Sequence, residues 1–359
     1  MWRLWIPTLL AAVYMCGVST PAQAQFDAPD VASPDANVLF EEGLAFARGG
    51  EYDRAIDEFQ KALLITSNFP AAQYNLAFAY DRKGDLAEAE AAYKKTLELD
   101  PKHSKALYGL GAMMYKQAKY SAAAGYLKRA TEAEPGYVEA HFALGTAQHK
   151  AGNRTGARSA FEKAIGIDST FVDAIYELGD VEYEIGETSG NYDRALAAYR
   201  KVVRQFPDYG KCYIAYFQLG KIYTDTKDYT SAAEMFGRAA EKRPDLAEAH
   251  FMQGRALAKT KSYDSAIRAL RKATNLKDPY GGAHYELARI YQQLGSFESA
   301  LKEYRAAAAD TEFSKRTQAR SSAKKIQDYL AALAAQEEAQ EEEEEFDSVD
   351  DIPSSDFEP

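Results

Sequence analysis

The stretch PAAQYNLAFAYDRKGDLAEAEAAYKKTLELDPKH, Pro70 to His103, returns in altered form along nearly the whole of the 359-residue chain, and that return restricts the fold more than any other feature. Leu76, Ala77 and Tyr80 fall on one stripe of a first helix, and Ala89, Tyr93 and Leu97 on one stripe of a second, at i, i+3, i+4 spacing. Gly84-Asp85 ends the first helix, because glycine takes the left-handed turn that other residues resist. Asp100-Pro101 ends the second, because proline has no amide donor and restricts the residue before it. Ala77 and Ala89 are small where the two helices approach most closely. One hairpin leaves both stripes uncovered, whereas a stack of hairpins buries them.

Eight copies can be laid in register, starting at about Ala36, Pro70, Ser104, Val138, Val172, Tyr213, Ala247 and Gly281. Repeat position 20 is Ala55, Ala89, Ala123, Ala157, Ala195, Ala232, Ala266 and Ala300. Position 8 is always Gly or Ala: Gly43, Ala77, Gly111, Gly145, Gly179, Gly220, Gly254 and Ala288. With Leu at position 7, aromatics at 11, 17 and 24, Gly at 15 and Pro at 32 as the underlying pattern, the chain resembles the tetratricopeptide repeat family. That resemblance implies an all-α fold, a right-handed α-α superhelical solenoid of about eight helix hairpins with a concave groove.

The ends of the chain read differently. Met1 to Ala24 has one basic residue, Arg3, an apolar core around Leu9 to Val13 and small residues at Ala22-Gln23-Ala24, the form of a cleavable export signal. Met15 before Cys16 argues against a lipoprotein site. Once the signal is removed Cys212 is the sole cysteine, expected as a buried thiol in a helix. Residues 25–35 read as a flexible leader, 36–313 as the solenoid and 314–336 as a capping helix with Ala319, Ala323, Ile326, Leu330 and Leu333 on one stripe. Residues 337–359 carry twelve acidic residues and no basic one, and read as a disordered tail. The tail accounts for the net charge of -11, so the body has no basic footprint for nucleic acid. Two insertions interrupt the register. Gly186 to Asn191 is expected as a lengthened polar loop, either neutral or a contact loop, and Gly210-Lys211-Cys212 as an extension of the first helix of repeat six.

Catalytic and metal constellations are not evident. His141, His250 and His284 all fall at repeat position 4, a helix-packing position, and His250 and His284 lie a full repeat apart rather than one helical turn apart. No glycine-rich phosphate loop, nucleophile elbow or clustered Cys/His set occurs. The reading is a non-enzyme with no cofactor and no metal.

The family's fold points positions 2, 5, 9, 12 and 13 of each first helix into the groove, and this implies the candidate binding residues. Position 5 is aromatic throughout: Phe40, Tyr74, Tyr108, Phe142, Tyr176, Phe217, Phe251 and Tyr285, suited equally to groove contact or to packing. Position 9 runs Leu44, Phe78, Ala112, Thr146, Asp180, Lys221, Arg255 and Arg289, from apolar through acidic to basic, and Tyr115 stands at position 12. The expected acidic patch comprises Asp173, Glu177, Asp180 and Glu184. Lys at position 5 and Asn at 9, which family members use to grip a chaperone's C-terminal carboxylate, are absent.

The function these residues imply is a protein-binding scaffold or adaptor, exported to the periplasm of a Gram-negative cell or secreted, that takes an extended peptide or a helix in its groove. Two alternatives remain open: a glycan or cell-wall binder stacking sugars on the aromatic ladder, and a regulatory subunit of a separate enzyme. The acidic tail, punctuated by apolar residues, is either a solubilising appendage or an extended ligand competing for the basic end of the groove.

Overall fold

A computed structural model describes residues 32–349, with side chains through Glu341; the expected export signal, most of the expected leader and the last ten residues lie outside the described residues. The described residues form seventeen helices and no strand. They belong to two compact units, 1–202 and 203–359.

The first unit holds repeats one to five. Its helices pair as α1 (Pro34–Arg48) with α2 (Tyr52–Ile65), α3 (Pro70–Lys83) with α4 (Leu86–Leu99), α5 (Ser104–Lys116) with α6 (Tyr120–Ala133), α7 (Val138–Lys150) with α8 (Arg154–Ile167), then α9 (Val172–Ser189) and α10 (Asp193–Gln205). The second unit holds α11 (Cys212–Asp225) with α12 (Tyr229–Lys242), α13 (Ala247–Lys259) with α14 (Tyr263–Leu276), α15 (Gly281–Gln293) with α16 (Phe297–Ala309), and α17 (Arg316–Val349). From α1 through α9, and again from α11 through α17, every helix packs on the next in sequence. This is the packing that uncovered stripes require.

The small residues at position 8 are explained by what lies over them. A Cβ built on Gly145 would come within 2.6 Å of the Phe161 ring, and one on Gly43 equally close to Phe59. In all six hairpins with glycine at position 8 a large second-helix side chain lies within 2.8 Å of where a Cβ would stand. The turn residue at position 15 is left-handed in seven hairpins, as Gly50, Gly84, Gly152 and Gly295 and, against the usual steric preference, as Ala118, Lys227 and Lys261.

Four expectations need correction. Gly186 to Asn191 is not a loop: α9 runs on to Ser189, and the left-handed residue moves four places to Gly190, at φ 76°. Four extra residues add about one helical turn, so the added segment keeps its backbone bonds within the helix. Gly210-Lys211-Cys212 does not lengthen a helix either, because α11 starts at Cys212 and the extra residues extend the connection from Phe206. Pro34, read as leader, is the first residue of α1, where its missing amide costs nothing and the Ser33 hydroxyl accepts the Ala36 N–H at 3.3 Å. Finally, α17 does not stop near Gln336 but continues to Val349, so the acidic segment is helical through that point. Ala and Glu are strong helix formers, which outweighs the like-charge repulsion there.

Candidate interaction surfaces

The position-5 aromatics are packing residues. Phe40, Tyr74, Phe142, Tyr176 and Tyr285 are all buried. Each meets a ring of its own second helix: Phe40 with Phe59, Tyr74 with Tyr93, Phe142 with Phe161, Tyr176 with Tyr199 and Tyr285 with Tyr304, at centroid separations of 5.6–6.1 Å. Phe217 is only half-buried but stacks edge-on against Phe236 at 5.1 Å. The five buried rings therefore hold hairpins together rather than presenting ring faces, while Tyr108, Phe217 and Phe251 stay half-buried.

A second aromatic series crosses the repeat boundaries. The residue just before a first helix packs on the position-5 ring of the preceding repeat: Phe69 on Phe40, His103 on Tyr74, Tyr137 on Tyr108, Phe171 on Phe142 and Tyr280 on Phe251. Phe313 completes the series on Tyr285, ahead of α17. The spacing between ring partners, 29 in five pairs and 28 for Tyr285 and Phe313, was available in the sequence, but it spans a repeat boundary and so falls outside any one repeat's pattern.

Two of the position-4 histidines are joints between repeats. The imidazole Nε2 of His141 donates to the Pro135 carbonyl at 3.0 Å, and that of His250 to the Pro244 carbonyl at 3.1 Å. His284 instead bonds the Glu303 carboxylate at 2.6 Å. Among the described residues no group of three or more His, Cys, Asp or Glu is placed to hold a metal ion. Cys212 is buried, and burial raises its thiol pKa.

Within the first unit, repeats one to three leave half-buried aromatics at first-helix positions. Phe78 lies 6.4 Å from Tyr74 and 6.0 Å from the Arg82 guanidinium. Tyr108 meets Tyr137, and Tyr115 meets Tyr120 edge-on at 5.2 Å. Burial, with smaller contributions from Tyr120 and Glu177, pushes the Tyr115 phenol up to about 12, so it stays a neutral hydrogen-bonding tip.

Repeat five turns much of its acidity inward. The buried Tyr199 hydroxyl donates to Asp180 at 2.5 Å. Glu182, only 3% exposed, occupies the position where the pattern calls for an aromatic. Its carboxylate receives Arg158 at 2.7 Å and Arg194 at 2.8 Å, and Arg194 also pairs with Glu162. Glu184 is held by Arg154 at 2.6 Å and His149 at 3.1 Å. Burial alone would raise its pKa, but those two partners outweigh burial and keep the carboxyl below its ordinary range.

The second unit carries its cations on the surface. Arg255 and Arg289, 43% and 47% exposed, lie 3.9 and 3.1 Å from one carboxylate, Glu286. Arg255 also covers the half-buried Phe251 ring at 5.5 Å, and Lys315 covers Tyr285 at the same distance. Lys221 at the corresponding position of repeat six is half-buried. Through Glu341 the acidic segment is exposed helix, not an extended ligand laid on these cations.

Among the described residues no helix is long and apolar enough to cross a membrane. A family model described as tetratricopeptide repeat matches residues 22–75, 176–247 and 217–284, and a second of the same description matches 138–171 and 281–309. A third, the middle TPR-like domain of cilia and flagella-associated protein 70, matches 50–148. No curated protein matches the chain. Among solved structures, the C-terminal part of a TPR repeat-containing protein from Cytophaga hutchinsonii is 18% identical, with a TM-score of 0.57 over 68% of this chain and 98% of that one. Pseudomonas aeruginosa PilF is 20% identical, with a TM-score of 0.49 over 61% of this chain and 97% of that one. A tetratricopeptide repeat protein from Parabacteroides merdae is 14% identical, with a TM-score of 0.47 over 72% and 98%. At such identities only the first, with a TM-score above 0.5, speaks to the fold, and to the fold alone. With matched repeats over more than half of its residues and helix hairpins of that kind in both units, the chain belongs to the tetratricopeptide repeat family, whose repeats serve as protein-interaction scaffolds.

Proposed function

We propose that the chain is a non-catalytic scaffold of the cell envelope or exterior that holds partner proteins against the exposed positions of its first helices, each unit selecting by different chemistry. The first unit offers half-buried aromatics, Phe78, Tyr108 and Tyr115, suited to apolar side chains of an extended peptide or a helix. The second offers Lys221, Arg255 and Arg289, suited to carboxylates. The single observation that carries this reading is the pair of half-exposed arginines sharing one carboxylate at Glu286. Two cations against one anion leave excess positive charge at the surface, which favours acidic partners. Export rests on the Met1 to Ala24 pattern. The burial of five position-5 rings weighs against sugar stacking, because a buried face cannot meet a pyranose.

The test is capture from envelope extract by wild type, by Arg255→Glu/Arg289→Glu and by Phe78→Ala/Tyr115→Ala. Loss of acidic partners with the first variant alone, and of apolar partners with the second alone, supports the reading. Unchanged capture by both variants contradicts it. N-terminal sequencing of the exported chain, with Gln25 first, tests the signal.

A further inference from the structure

Helix α17 is 34 residues long, roughly 50 Å, yet only its first half is covered. Ala319, Ala323, Ile326 and Leu330 pack into the core of the last repeats. From Ala331 to Glu341 every side chain is exposed, including Leu333 at 39%. The charges also run against the helix. Arg316, Arg320, Lys324 and Lys325 lie in the first half, while Glu337, Glu338 and Glu341 lie in the second. Cations near the N-terminus and anions near the C-terminus both oppose the macrodipole. The second half of α17 is therefore held by residue propensity alone, with charges that oppose it and no packing to support it.

One stripe of this helix resolves both difficulties. Arg320, Lys324, Ala331, Ala334, Glu338 and Glu341, with Gln327 between them, recur at spacings of four and three and so share one face of the helix, basic at one end, small at the centre and acidic at the other. All are exposed, and the stripe lies about 100° round the helix from the packed one. The Gln327 amide oxygen accepts a bond from Arg305 at 3.1 Å, which fixes that side chain at the seam.

We infer that α17 pairs antiparallel with α17 of a second copy of this chain. With Ala331 set opposite Ala334 of the second copy, Lys324 falls opposite Glu341 and Gln327 opposite Glu338. The two-fold axis repeats each pairing. The alanines at the centre let the helices approach to about 8 Å. Each acidic half then lies along a basic half, and the two macrodipoles oppose each other. A parallel arrangement would instead set basic against basic and acidic against acidic.

The experiment is sedimentation velocity on the full chain over about 1 to 100 µM, at low salt and at about 1 M salt, where the Debye length falls to about 3 Å. The wild type is expected to dimerise at low salt and to dissociate at high salt. Lys324→Glu alone and Glu341→Lys alone should each weaken dimerisation by about tenfold or more, since each sets like charges together twice, and tenfold is about 1.4 kcal/mol. The exchange Lys324→Glu/Glu341→Lys should restore it to near the wild-type constant. Both positions are exposed, and circular dichroism of each variant checks that the fold is intact. A wild type that stays monomeric at low salt overturns the pairing. So does an exchange variant no better than either single variant, or a dimer indifferent to all three.

Discussion

The two units treat charge at their repeat junctions in opposite ways. In the first, repeat five places Glu182 in the interior between Arg158 and Arg194, and binds Asp180 to a buried tyrosine and Glu184 to an arginine and a histidine. In the second, two half-exposed arginines converge on the one carboxylate of Glu286, and the surplus charge faces water. Similar residue types therefore serve cohesion in one place and display in the other, and burial decides which. A carboxylate removed from water must keep its cations, whereas one at the surface is screened and replaceable.

That contrast breaks most visibly at the two carboxylates. Glu182→Gln removes the charge of a carboxylate only 3% exposed, which Arg158 at 26% and Arg194 at 57% exposure reach from its two sides, and should destabilise the first unit by about 3 kcal/mol. Glu286→Gln should cost under about 1 kcal/mol, because its partners remain half in water. Hydrogen exchange resolved by peptide reads both, with the loss of protection expected in α8 to α10 for the first variant. Equal losses in the two variants would show that burial does not separate the units.

Next in size is the helix contact at position 8. Gly145→Leu drives a branched side chain into the rigid Phe161 ring and should destabilise by about 2 kcal/mol or more. At Gly254 the obstacle is the Leu270 side chain, also 2.6 Å from a built Cβ, but an aliphatic chain can change rotamer. Gly254→Leu should therefore cost measurably less in denaturant midpoint. A reversed order would mean that backbone rather than the overlying side chain sets the tolerance.

Much of this was legible in advance because the repeat states the same contact eight times. Small position 8, alanine at position 20 and the turn at position 15 each have a local cause, and the hairpins follow from them. What the sequence hid were features that occur once or lie across a repeat boundary. Glu182 sits where an aromatic belongs, and only its placement beside Arg158 and Arg194 shows that it is buried. The Gly186 to Asn191 insertion contains four turn-forming residues, yet it extends a helix, because a whole extra turn preserves the backbone bonds of α9 and lets Gly190 close it. The position-5 rings could not be assigned to core or groove without their partners. Those partners include the residue before the next first helix, which belongs to another repeat.

A smaller effect concerns the turns. Ala118 in the first unit and Lys261 in the second hold left-handed backbone, at φ 57° and 61°, where four other repeats have glycine. Ala118→Gly and Lys261→Gly should each stabilise by about 1 kcal/mol, relief of steric strain outweighing the extra freedom of the unfolded chain. A lower denaturation midpoint in either would show that the turn is not strained.

The slightest expected difference is in response to acid. Burial pushes the His250 pKa below its ordinary value near 6.5, outweighing the bond to Pro244. Its contribution to stability is thus complete above about pH 6.5 and declines as pH falls through the lower folded value. Glu184 is depressed below the ordinary carboxylate value, so its contribution is complete above about pH 4.5 and is lost only as pH falls further. Glu248 in the same helix is raised by burial and gains stability as pH falls, so the His250 contribution is read between pH 6.5 and 4.5 as the difference from His250→Gln, which should lose less protection in α13 than the wild type while α9 is unchanged. Equal loss of protection in α13 of both proteins would contradict the assignment.

The most direct test of two chemically distinct display surfaces is peptide binding with charge as the variable. Pools of acidic and of basic peptides, each with the same apolar residues, would be titrated into the wild type and into Arg255→Glu/Arg289→Glu. The wild type should retain acidic peptides and the variant should lose them and gain basic ones, with protection from exchange appearing in α13 and α15. Acidic peptides held equally by both proteins, or protection confined to α14 and α16, would contradict the account.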